Sequence, residues 1–289
     1  MLLFAVALGS AFGLGGCSLT RIGYHSLPTL AQWEINRYVD LDEAQRALVA
    51  SHLERVLHWH RGDELAQYAR FLRGLDARVQ ARVDPAEVAR VRARVEQAWG
   101  ALAERLAPGV AELALTLRPE QIAQMHRRVD ALQAKAREQY LPREGESRDD
   151  ARARRVTKRA EFFLGDLPER QLAELRSLVA AFPASEQAWL AEREARQREF
   201  VAMLDRLRAE RPPPAEATRI AGEHLRAMWQ SRDAARRALL AESVAASDAL
   251  TARLVAGAGA DQRRHLSKRL RGWAEDFEAL SSRVQTAAN

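Results

Sequence analysis

The chain has 289 residues, 47% of them apolar and 29% charged, a balance that excludes a disordered polypeptide and a multi-span membrane protein. The 45 basic and 39 acidic residues leave a net charge of +6, almost all of the basic charge being arginine, and this reads as the solvated faces of mixed-charge helices. The single cysteine, Cys17, excludes an internal disulfide framework and a cysteine-cluster zinc site.

The segment Leu2–Gly16 is uncharged and apolar. It is shorter than the roughly 20 residues a bilayer crossing takes, and it has the length of a signal-peptide apolar region. It begins directly after Met1, without the basic residues that usually lead such a segment. It closes in Leu14-Gly15-Gly16-Cys17, which resembles the bacterial lipobox. The resemblance implies cleavage after Gly16 and acylation of Cys17, palmitate included, as the first mature residue. Ser18 in the next position implies sorting to the outer membrane, facing the periplasm. Several acyl chains on one residue meet the requirement for stable tethering. The expected organisation is a lipoprotein signal peptide over 1–16, an acylated N-terminus and short tether over 17–27, and an all-helical domain over 28–289.

Four of the 15 glycines fall before Cys17, so the rest of the chain is glycine-poor and dominated by Ala, Arg, Leu and Glu. That composition favours long helices, and no segment alternates with the two-residue period of a strand. Proline and glycine punctuation predicts helices over 28–38, 42–61, 63–82, 85–107, 109–115, 119–140, 148–164, 168–181, 184–210, 214–231, 233–256 and 260–284. The fold class is all-α, an elongated bundle of long amphipathic helices divisible into halves 28–145 and 146–289.

Four helix starts share one pattern: Leu41-Asp42-Glu43-Ala44-Gln45, Leu117-Arg118-Pro119-Glu120-Gln121, Leu167-Pro168-Glu169-Arg170-Gln171, and the degenerate Ala258-Gly259-Ala260-Asp261-Gln262. Apolar residues recur 4, 8 and 11 positions after each glutamine, which puts them within about 80° of it and makes the glutamine the start of the apolar stripe. The second residue is placed as N-cap, and the glutamine at N3 can reach back to the N-cap amide, as in a capping box. Asp42 with Gln45 fits this best. Leu117 and Ile122 sit as a hydrophobic staple. On this structural reading, losing Gln45 or Gln121 costs about 1 kcal/mol, as a lost cap does. Two halves carrying two motifs each are compatible with the spacing.

The motif resembles the LTxxQ signature of small periplasmic stress proteins of the Spy/CpxP type, an all-helical family that includes ATP-independent chaperones. A closer resemblance lies in Tyr38-Val39-Asp40-Leu41-Asp42-Glu43-Ala44-Gln45 followed by Leu57-His58-Trp59-His60-Arg61-Gly62-Asp63-Glu64-Leu65-Ala66-Gln67-Tyr68-Ala69. With the lipobox before it, this is similar to an uncharacterised family of proteobacterial lipoproteins, a domain of unknown function. The resemblance implies a tethered helical protein and no particular activity.

His60, Glu64 and Tyr68 stand at i, i+4 and i+8 with Arg61 beside them. They form either a binding cluster for a carboxylate or peptide backbone, or an inter-helix polar cluster closing the first hairpin; a helix break at Gly62 would undo the alignment. His52, His58 and His60 lack metal-ligand spacing, and no nucleotide-binding or hydrolase motif occurs, so the sequence asks for no cofactor, metal or catalytic role. The expected partners are the membrane through the N-terminal lipid, and envelope proteins or unfolded polypeptides through the helices. Location in the envelope excludes nucleic acid. The expected function is chaperone-like binding of polypeptides; the alternative is a structural or adaptor lipoprotein docking one envelope partner through a helical groove.

Overall fold

The computed structural model describes residues 18–81 and 83–287, and every regular element among them is helical. Leu2–Gly16 and Cys17 lie outside the described residues. The helices are α1 (Ser18–His25), α2 (Leu27–Asn36), α3 (Glu43–Trp59), a π turn (His60–Glu64), α4 (Leu65–Gln80), α5 (Pro85–Thr116), α6 (Pro119–Tyr140), α7 (Arg148–Leu164), α8 (Glu169–Ala180), α9 (Glu186–Glu210), α10 (Pro214–Ala227), α11 (Ala234–Ala256) and α12 (Ala260–Ala287).

Local chemistry sets most boundaries. Asp84, Ser147 and Asp233 each accept a hydrogen bond from a backbone N–H in the first turn of the helix they open, satisfying a donor that the helix leaves unpaired. α7 stops at Gly165, whose φ of 77° suits glycine. α9 stops at Arg211 in the left-handed region, and Pro212 and Pro213 then prevent further turns.

Three departures from the predicted elements have physical causes. The stretch predicted as tether is helical over Ser18–His25, since tertiary contacts described below hold it. Gly62 does not end the helix; the chain passes through it as a π turn that joins α3 to α4. Pro108 does not divide α5, which runs 32 residues without interruption. Proline there removes one intrahelical hydrogen bond, but the surrounding turns are fixed by packing. Ala103, Ala107, Ala111 and Ala114 form a wholly buried stripe, and α10 lies close against it with Ala217, Ala221 and Gly222. A Cβ on Gly222 would stand 3.3 Å from the Ala107 methyl group.

One core gathers α5, α6, α9 and α10 with Val39 and Leu41; a second gathers α7, α8, α11 and α12 with Val79 and Val83. A smaller one joins Tyr24, Leu57, Leu65 and Leu280. Each therefore combines segments from both sides of residue 145. The leading residues of the four helix-start motifs, Leu41, Leu117, Leu167 and Ala258, are all buried in the two larger cores.

Candidate functional site

The four motif glutamines meet in two pairs. Gln45 and Gln121 exchange two amide hydrogen bonds, of 3.1 Å from Gln45 Nε2 and 2.7 Å from Gln121 Nε2. Gln171 and Gln262 do the same at 3.0 and 2.8 Å. The remaining valences follow one rule. Each Nε2 also donates to the carbonyl five positions before the partner glutamine: Gln45 to Thr116, Gln121 to Asp40, Gln171 to Gly257 and Gln262 to Asp166. Three of the four Oε1 atoms, those of Gln45, Gln121 and Gln262, accept from the N–H of their own cap residue, Asp42, Arg118 and Gly259. Pro168 has no N–H, so Gln171 lacks that bond; it is half-exposed where the other three glutamines are buried. Two donors and two acceptor sites per amide are thus occupied in three of the four copies, which is what makes a buried amide tolerable.

The cap residues add a further link. Asp42 accepts from the Gln45 N–H at 2.9 Å, and its other oxygen accepts from Arg118 of the paired motif at 2.6 Å. The Gln45 backbone bond and then the Arg118 guanidinium hold the Asp42 carboxyl below its ordinary range. Arginine offers no acceptor, so at α6 only the glutamine half of the capping box forms.

His60, Glu64 and Tyr68 come together where the π turn leads into α4. His60 is 4% exposed; its Nδ1 is joined to the Tyr24 hydroxyl of α1 at 2.9 Å, and the rings of Tyr24 and Tyr68 lie 5.8 and 5.5 Å from its own. Burial first, and then Arg61, press the His60 pKa down to about 4, so the ring is neutral at neutral pH. Burial raises the Tyr24 and Tyr68 hydroxyls. Glu64 is buried with Arg94 of α5 3.9 Å away, and that guanidinium lies over the Tyr68 ring. Arg61 turns back to the Leu57 carbonyl. The cluster is packed among α1, α4, α5 and α12, where Phe277 meets Tyr68 edge-on. The sequence pattern showed its α3–α4 members; Tyr24, Arg94 and Phe277 come from distant segments and carry no local signal.

Several other buried polar groups went unseen in the sequence, Arg152 and Asp276 among them. Arg152 of α7 forms a two-pronged ion pair with Glu186, at 2.6 and 2.8 Å, and donates to the Val179 and Phe182 carbonyls at the end of α8. Asp276 of α12, 2% exposed, pairs with Arg21 of α1 at 3.1 Å, and burial raises its pKa. Among the described residues no three His, Cys, Asp or Glu side chains converge as a metal site, and no helix is long and apolar enough to cross a membrane. Cys17 lies outside the described residues.

A sequence model described as a family of unknown function, DUF6279, matches residues 37–220, more than half of the chain. No curated protein and no solved structure matches it.

Proposed function

The chain belongs to DUF6279, a family of unknown function, and we propose that it is an outer-membrane lipoprotein that acts as a non-catalytic adaptor, docking one envelope partner in the periplasm. The observation that carries this reading is where its chemistry-bearing residues are spent. The motif glutamines and the His60–Glu64–Tyr68 cluster satisfy one another inside the fold. Among the described residues only Ile22, Trp33, Val95, Phe163 and Val244 are large, apolar and exposed. Promiscuous holding of unfolded chains calls for wider apolar area than scattered single residues supply. The surface instead carries arginines set between carboxylates, such as Arg219 with Glu216 and Glu223, and Arg198 with Asp130 and Glu194. A fixed mosaic of both signs selects a partner by complementary pattern.

Anchoring is supported by the apolar Leu2–Gly16 segment ending at the one cysteine. Radiolabelled palmitate is expected on the expressed protein and absent from a Cys17→Ala variant, with the label in the outer-membrane fraction. Cross-linking in cells is expected to trap one defined adduct. A ladder of adducts, together with suppression of client aggregation at stoichiometric protein, would replace the adaptor with a chaperone.

A further inference from the structure

We propose that the bundle sits directly on the lipid surface, with α1 and α2 lying in the headgroup layer and Ile22 and Trp33 entering it. This rests on the acylation of Cys17 proposed above. α1 begins at Ser18, the residue after Cys17, so no flexible spacer separates the acylated position from the folded body. Nor does α1 swing independently. Arg21 is paired with buried Asp276 on α12, and Tyr24 is bonded to buried His60 at the π turn. At 1.5 Å of rise per residue, Ile22 lies only about 6 Å along α1 from Ser18, so it stays at the anchored end of the bundle.

The exposed residues match that placement. Ile22 and Trp33, at 58% and 57%, are the two most exposed large apolar side chains among the described residues, and both belong to the two helices nearest Cys17. The other five tryptophans are all at least half-covered. Arg37 holds its guanidinium 5.4 Å from the Trp33 ring centre. An indole with a cation beside it suits the boundary between acyl chains and headgroups, where tryptophan concentrates.

The test uses the full lipidated protein in phosphatidylethanolamine–phosphatidylglycerol vesicles whose acyl chains carry bromine, which quenches tryptophan fluorescence at short range. Wild-type protein is expected to float with the vesicles and to lose fluorescence relative to unbrominated lipid. Trp33→Phe is expected to float equally and to lose most of that quenching, with an unchanged circular dichroism spectrum. Ile22→Asp is expected to float but show weaker quenching of Trp33. Flotation with equal fluorescence in both lipids overturns the seat and leaves the anchor intact. Failure to float overturns the anchor and the seat together. Quenching that persists in Trp33→Phe also overturns the placement, because another tryptophan would then face the lipid.

Discussion

Replacing Gln45 with alanine removes one side of a reciprocal amide pair and strips partners from four groups at once. The Asp42 N–H and the Thr116 carbonyl lie near the surface and can recruit water. The donor and the acceptor of Gln121 that faced Gln45 stay buried. An orphaned buried polar group costs about 1–3 kcal/mol, so the expected loss is about 2–4 kcal/mol, above the roughly 1 kcal/mol of a surface cap. The diagnostic quantity is coupling. In Gln45→Ala/Gln121→Ala the second substitution removes groups that the first has already orphaned, so the double variant should cost about 1–3 kcal/mol less than the two single losses together. Gln45→Ala combined with Gln262→Ala, in separate pairs, should be additive within about 0.5 kcal/mol. Urea denaturation followed by circular dichroism on the wild type and the five variants reads this directly. Additivity within the Gln45–Gln121 pair would refute the clasp and return both glutamines to independent caps.

Gly109→Ala should destabilise by about 1–3 kcal/mol, because the new Cβ would stand 2.7 Å from Cγ and 2.9 Å from Cβ of His52; a melt in the His52→Gly background, which removes both atoms, should show a smaller penalty for Gly109→Ala than in the wild type. His60 makes the fold acid-sensitive. Its folded pKa of about 4 lies below its ordinary 6.5, so the unfolded chain binds the proton first and stability falls as pH drops from about 6.5 to 4, by up to about 3 kcal/mol. Subtracting the pH–stability curve of His60→Gln should isolate that slope, and an unchanged slope would refute it. Burial acts in the opposite sense on Asp276, which is why the difference curve, and not the raw one, is the readout. Arg152→Met should cost about 1–3 kcal/mol, because Glu186 loses its two-pronged partner and keeps only Arg155 at 3.4 Å while the Val179 and Phe182 carbonyls lose a donor, and adding Glu186→Met should recover part of it; a double variant no more stable than the single would count against the pair.

How much of this was legible varies with the range of the interaction. The Asp42–Gln45 box can be read from four consecutive residues because both partners lie within one turn. That Gln45 would find Gln121, and Gln171 would find Gln262, could not be read, since four equivalent motifs allow three pairings and nothing local distinguishes them. The same holds for His60. Its alignment with Glu64 and Tyr68 is a matter of helical period, but its burial and low pKa come from Tyr24 and the packing of α12.

The sequence by itself determined that the protein is all-helical, that its helices begin at Asp42, Arg118, Pro168 and Gly259 with a glutamine facing inward, and where proline and glycine divide most of them. These are consequences of backbone sterics and capping, which act over a few residues. Only the tertiary structure decided that Gly62 becomes a π turn, that Pro108 is absorbed in one long helix, and that α1 is held at Ser18–His25. In each case burial and side-chain contacts from distant helices outweigh a local preference of about 1–3 kcal/mol.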